Sequence, residues 1–224
     1  MTTSNPATSP LRGREREAQS NDVSILRAAR EIFFEYGWGA PMSQIATRAG
    51  IGVASIYRRY PSKMALVDEL RVRSLEHVIE LADACARAAG ERGKRESAME
   101  LFLRRMIVEA SVPLAPTVGR HVETTPEIDA LSVQLATALE RVLEIDRQLG
   151  LIPSYYGPAD LLLTLTHLRP NLAISRERAN EIHLRELHYV LIGLRAVATI
   201  GIEPEGKKSS WQEWLQINST NAGR

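Results

Sequence analysis

A chain of 224 residues has room for one large or two small domains with a sizeable core. Its composition, 44% hydrophobic and 25% charged, does not force disorder, and a single cysteine, Cys85, excludes an internal disulfide framework and any multi-cysteine zinc site. Aromatic content is only 5%, and the net charge of +1 conceals an asymmetry: residues 1–75 hold 11 Lys+Arg against 7 Asp+Glu, net +4, leaving 17 against 20, net −3, for the remainder. Recurrent Ala, Leu, Arg and Glu point to an all-α fold rather than a sandwich or barrel. The basic first third is the side from which nucleic-acid binding is expected.

The opening "MTTSNPATSPLRGREREAQ" lacks the apolar core of a signal peptide, and no later run approaches the roughly 18 apolar residues of a membrane span, so a cytoplasmic protein without membrane attachment is expected. Residues 1–20 read as a disordered basic leader. Arg12, Arg14 and Arg16 have the chemistry to enter a narrow minor groove, whereas the interleaved Glu15 and Glu17 favour a plain solvated leader.

From Asn21 or Asp22 as cap, "VSILRAAREIFFEYG" predicts a helix with Ile25, Ala29, Ile32 and Tyr36 on one face and Gly37 as its stop. "PMSQIATRAG" predicts a short helix with Ile45, Ala46 and Ala49 inward, and Gly50 allows a tight turn. The next short helix, about Gly52 to Tyr60, is two-sided. Ile56 and Tyr60 share the inward face, while Ser55, Arg58 and Arg59 face out. Two short helices joined by a glycine turn form a helix-turn-helix layout, whose second helix enters a DNA major groove; an ordinary packed helix pair has the same spacing.

A long helix is predicted from Ser62 to about Ala89, then one over residues 95–110, then a proline-rich loop "SVPLAPTVGRHVETTP". Thr125 and Pro126 start a helix with Ile128, Leu131, Leu135, Val142 and Leu149 as its stripe, closed by Gly150. A short helix follows near Pro158 to Leu168. Ser175 caps a long one to about Ala198, and "SWQE" is a capping box for a last helix near Trp211 to Ile217. The helix after Ser175 carries Leu184, Leu187, Leu191, Leu194 and Ala198 on one stripe, with Ile182, Tyr189 and Ile192 adding apolar surface elsewhere.

The stretch "ILRAAREIFFEYGWGAPMSQIATRAGIGVASIYRRYPSKMALVDEL" resembles the N-terminal domain of the TetR-type (tetracycline-repressor-like) transcriptional regulators over about residues 22–70. "AAREIFFEYG", "IATRAGI" and "SIYRRYPSK" carry the resemblance; Pro41 in place of a Thr/Ser cap and Gly52 in place of Ser depart from it. The resemblance implies a helix-turn-helix domain over 21–68 and a helical effector-binding and dimerisation domain over 69–224. It also implies roles for individual residues. Ser55 matches a position that touches phosphate or a base edge, and Tyr57 the aromatic that braces a phosphate. Arg58 is the candidate base reader, since arginine grips guanine O6 and N7 in a bidentate way; a solvated arginine or a phosphate clamp is the plainer alternative. Val53 and Ala54 offer apolar contact to thymine methyl groups or merely allow close approach. Lys63, in a first helical turn capped by Ser62, is expected to share a phosphate with free backbone amides. Gln44 resembles a backbone contact from the second helix, and Arg59 fits either a phosphate contact or an intraprotein pair.

The implied partners are a near-palindromic double-stranded operator, a second copy of the chain paired through its last long helices, and an unidentified small-molecule effector. Arg104, Arg105, His121, Tyr155, Tyr156 and His167 lie in segments able to line an effector cavity, without any being assigned to it. No cofactor, metal ligand or catalytic residue is expected: there is no phosphate-binding glycine loop, GxSxG or HExxH, and His183 and His188 are five residues apart rather than four. The expected function is a ligand-responsive repressor, not an enzyme. The alternative is a helical small-molecule-binding or interaction protein that no longer binds DNA.

Overall fold

A computed structural model of the chain describes residues 10–91, 96–109, 124–170 and 172–218, with side chains from Asp22 onward. Among the described residues there are nine helices and no strand: α1 (Pro10–Tyr36), α2 (Met42–Ala49), α3 (Val53–Arg59), α4 (Lys63–Gly90), α5 (Ala98–Val108), α6 (Pro126–Gln148), α7 (Pro158–Leu168), α8 (Arg176–Ile200) and α9 (Trp211–Asn218). The chain divides into two compact units, Met1–Leu70 and Arg71–Arg224.

In the first unit, α1 begins at Pro10, so residues 10–20 are helical where a disordered leader was expected, and Asn21 and Asp22 lie inside the helix instead of capping it. Proline is pre-set for a first helical position, and the Leu, Arg, Glu, Ala and Gln after it are good helix formers. Arg12, Arg14 and Arg16 therefore belong to a helix rather than to a disordered leader. Ile25, Ala28, Ala29, Ile32 and Phe33 are buried, the i, i+3, i+4, i+7, i+8 stripe of a helix with one face in a core. Tyr36, expected on that stripe, is 58% exposed. The inner side of the last turn is instead closed by Phe33, whose ring stacks on Trp38 at 6.3 Å between centroids.

α2 packs on α1 through Met42, Ile45 and Ala46. It ends at Gly50, whose φ of +70° suits glycine, and the Gly50 and Ile51 amides donate to the carbonyls of Thr47 and Ala46 at 3.2 and 3.0 Å. The chain turns within three residues into α3, which buries Ile56 completely and is followed by the buried Tyr60. Burying such a side chain contributes about 2 kcal/mol. The inner faces of α2 and α3 thus supply their apolar anchors.

In the second unit, α5 starts at a Ser97 cap, whose hydroxyl accepts the Glu100 amide at 2.9 Å, and α6 at a Thr125 cap with Pro126 beside it. The proline-rich loop and His121 lie, except for residues 124–126, outside the described residues. Phe102, Leu103 and Ile107 of α5 meet Leu135, Leu139, Val142 and Leu143 of α6 and Leu161, Leu165 and Leu187 of α7 and α8 in one core. The α6 stripe differs from expectation at two places. Leu149 lies just past the helix and is 36% exposed, and Leu131 is only partly buried, because Ser132 and Ala138 occupy the tightly packed positions. At the end of the stripe Asp146 is fully buried: its carboxylate accepts the Ala98 amide at 2.7 Å and the Ser97 hydroxyl, holding the start of α5. The "SWQE" box forms, with Ser210 accepting the Glu213 amide at 3.1 Å and Glu213 accepting the Ser210 amide at 2.7 Å.

Candidate nucleic-acid interface

The surface follows from the two-sidedness of α3. With Ile56 at 0% exposure fixing one side, Val53, Ala54, Tyr57, Arg58 and Arg59 are exposed and Ser55 is partly buried. A seven-residue helix turns one side chain in about three or four inward, leaving the rest to solvent. Gly52, at the helix start, adds no side chain that would stand between the backbone and an approaching surface. Gln44 of α2 is exposed as well.

Arg58 is not fully free within its own helix: its Nη2 donates to Ser55 Oγ, one turn back, at 2.9 Å. This pair links two of the sequence-predicted residues. Arg59, for which two roles were open, reaches Asp22 of α1 at 2.5 Å, and that hydrogen bond raises its already high pKa. In this structure it is an intraprotein pair. Tyr57 is 48% exposed and has the length to bring its hydroxyl to a phosphate.

Lys63 differs most from expectation. It occupies the first turn of α4 beside the predicted Ser62 cap, which accepts the Ala65 amide at 3.1 Å, but its ammonium does not stand out into solvent. Nζ donates to the carbonyls of Trp38 and, at 2.6 Å, Ala40, and sits 4.9 Å from the Trp38 ring centroid and 5.5 Å from that of Phe33. Partial burial pushes its pKa below the ordinary lysine value. The aromatic pair and the loop carbonyls that turn the side chain inward are three-dimensional neighbours, and spacing around Lys63 gives no sign of them.

One group was not singled out from the sequence. Arg48 of α2 donates to Glu35 at 2.8 and 3.0 Å and to Glu31 at 3.1 Å on α1, and the bond to Arg48 holds the Glu35 carboxyl below the usual range. The signal available was two acidic residues four apart on the polar face of α1 with a lone arginine at the end of α2.

In the second unit, an open cavity of about 320 Å³ lies between α7 and α8, lined by Thr164, His167, Leu168, Pro170, Leu172, Ile182, His183, Glu186 and Val190. Of the five described residues among those considered for an effector cavity, His167 is the one that lines it. Arg104 pairs with Glu100 at 2.9 Å, Arg105 approaches Glu109 at 3.9 Å, and Tyr155 donates to the Ile202 carbonyl at 2.9 Å. Tyr156 is buried and hydrogen-bonded to Thr164 at 2.7 Å, burial pushing its pKa up. His183 is buried too, and desolvation together with the nearby Arg169 lowers its pKa. Among the described residues no three His, Cys, Asp or Glu side chains are grouped as metal ligands, and no helix is long and apolar enough to cross a membrane.

Residues 25–70 match the family model described as "Bacterial regulatory proteins, tetR family". Among solved structures, a TetR transcription regulatory protein from Mycobacterium vanbaalenii is similar at 24% identity with a TM-score of 0.58, over 83% of this chain and 99% of that one. A protein described as a TetR-family transcriptional regulator from Mesorhizobium loti is similar at 17% identity with a TM-score of 0.48, over 77% of this chain and 95% of that one. No curated protein sequence matches the chain.

Proposed function

We propose that this chain, a TetR-type DNA-binding transcriptional regulator, is a ligand-responsive repressor that binds a near-palindromic operator as a homodimer in the cytoplasm. The observation that carries the reading is α3, a short helix held by Ile56 with Val53, Ala54, Tyr57 and Arg58 exposed on its free side. In a major groove, Arg58 reads a guanine, Val53 and Ala54 meet thymine methyl groups, and Ser55, Tyr57 and Gln44 contact phosphate or a base edge.

Dimerisation is favoured by α8, of which only His183, Leu187 and Leu191 are buried while Tyr189 and Ile192 are about half exposed. Two recognition helices about 34 Å apart would meet successive major-groove faces, which is why the operator is expected to be near-palindromic. Ligand response is favoured by the cavity between α7 and α8, with its mixture of apolar residues and the polar His167, His183 and Glu186. An effector lowers DNA affinity only by its differential affinity for the two states, so operator and effector must weaken each other's binding equally.

Selection of bound sequences from a random duplex library tests the reading. A palindromic motif, bound with an affinity that falls steeply with salt, supports it. No enriched motif and no salt dependence would refute it in favour of a helical binding protein that does not engage DNA.

A further inference from the structure

Lys63 stands where a phosphate-binding lysine was expected, yet two of its three donors are already engaged. An ammonium has three donors and no acceptor, and two are directed at the carbonyls of Trp38 and Ala40. Its charge also faces the rings of Trp38 and Phe33, at 4.9 and 5.5 Å from their centroids. The two carbonyls belong to the link between α1 and α2, outside either helical ladder, and turning Lys63 out to a phosphate would surrender both hydrogen bonds and both ring contacts.

The connectivity gives the contact its meaning. Ala40 is two residues before α2, and Lys63 is the first residue of α4. Between them lies the entire helix-turn-helix: α2, the Gly50 turn, α3 and the Tyr60–Ser62 connection. The bond from Lys63 Nζ to the Ala40 carbonyl therefore ties the two flanks of that segment together and closes it into a ring. Inside, α2 and α3 are held by the buried Met42, Ile45, Ala46 and Ile56 and by the Arg48 and Arg59 pairs to α1, and the closure adds a restraint on how far α3 can rotate over the core.

We propose that Lys63 is a positioning residue and not a phosphate ligand: it clasps the α1–α2 link to the start of α4 and fixes the orientation in which α3 meets DNA. This rests on the DNA-binding reading above. It also separates two effects that phosphate contact would merge, because a positioning residue changes affinity without changing how many counterions binding releases.

The test uses the full-length protein and a duplex obtained by selection, with affinity measured across a range of salt for wild type, Lys63→Met, Lys63→Arg, Trp38→Leu and the Lys63→Met/Trp38→Leu double variant. The Met variant is expected to bind about tenfold more weakly at every salt concentration with the log–log slope unchanged. Arginine, which can donate to both carbonyls and stack on Trp38, should recover most of the loss. The double variant should lose less than the product of the single losses, since both remove the same clasp. A slope shallower by about 0.9 per lysine, with the two substitutions acting independently, would overturn the proposal.

A measurement on the wild type avoids dependence on whether any variant folds. The Lys63 ammonium resonance should be protected from exchange in the free protein and keep its position when the duplex binds. Fast exchange in the free protein, or a shift accompanied by coupling to a phosphate, would also overturn it. If wild type binds no duplex, the regulator reading fails, whereas the clasp is still judged by protection in the free protein.

Discussion

Replacing Asp146 by alanine should be among the most destabilising single changes available in the second unit. The carboxylate is fully buried and accepts the Ala98 amide at 2.7 Å and the Ser97 hydroxyl, with the Met99 amide at a longer 3.5 Å. Removing it leaves two buried donors at the start of α5 without an acceptor, at roughly 1–3 kcal/mol each, and weakens the Ser97 cap that holds the Glu100 amide. Part of this is offset because a buried charge disappears with the side chain. A net loss of about 3 kcal/mol follows, which at about 2–4 °C per kcal/mol for a unit of this size lowers Tm by about 6–12 °C.

Asp146→Asn keeps a carbonyl oxygen for the Ala98 amide and should cost about 1 kcal/mol. Burial raises the Asp146 pKa, against the opposing hydrogen bonds from Ser97, Ala98 and Met99. In the window between its ordinary and its raised value, the folded state therefore binds more protons than the unfolded state. Its contribution to stability falls as pH rises through that window and is regained on acidification towards the ordinary value. The asparagine variant lacks this contribution, so the advantage of wild type over it should grow as pH falls into the window and shrink as pH rises out of it. Thermal melts followed by circular dichroism across that pH range measure both effects. An alanine variant as stable as wild type, or an asparagine variant as damaged as the alanine one, would refute the reasoning.

Three further outcomes are expected. Ser55→Ala should relax specificity at the operator position that Arg58→Ala relaxes, because Ser55 Oγ holds the Arg58 guanidinium at 2.9 Å; a selection profile in which Ser55→Ala leaves that position intact would show that the bond does not orient Arg58. Ile192→Glu, at a position half exposed in the single chain, should leave the subunit fold within about 0.5 kcal/mol while shifting sedimentation from dimer towards monomer. Because the hydrogen bond from Arg48 lowers the Glu35 pKa, its stabilisation is present above the ordinary value of 4.5 and lost as pH falls through the lowered one. Melts of wild type and Arg48→Met should therefore differ at neutral pH and converge in acid.

Local pattern carried much of the fold. The recurrence of apolar residues in α1, the glycine at the α2–α3 turn, the Thr125 and Ser175 caps and the Ser210/Glu213 box are all short-range features, and they mark where the chain can and cannot continue a helix. The outward placement of Arg58 and Arg59 followed from Ile56 and Tyr60 alone, since two inward anchors four residues apart orient a short helix. What sequence left open depended on partners distant along the chain. Lys63 is turned inward by Trp38 and Ala40, 25 and 23 residues earlier. Arg59 is paired with Asp22, 37 residues away, and Asp146 reads as an oddity at the end of an apolar stripe until the start of α5 is brought against it. Tyr36 and Leu149 satisfied helical spacing but sit at helix ends, where a face continues geometrically and the core it would cover has stopped.

The central claim is that α3 reads DNA sequence through Arg58, and the most direct test is a base-by-base affinity profile of the selected duplex with wild type and Arg58→Ala. The account predicts that wild type discriminates by about 1–3 kcal/mol at a guanine placed symmetrically in each half-site, and that Arg58→Ala loses this discrimination while the profile at other positions persists. Equal weakening on every sequence, with no position relaxed, would contradict it and make Arg58 a contact to the DNA backbone.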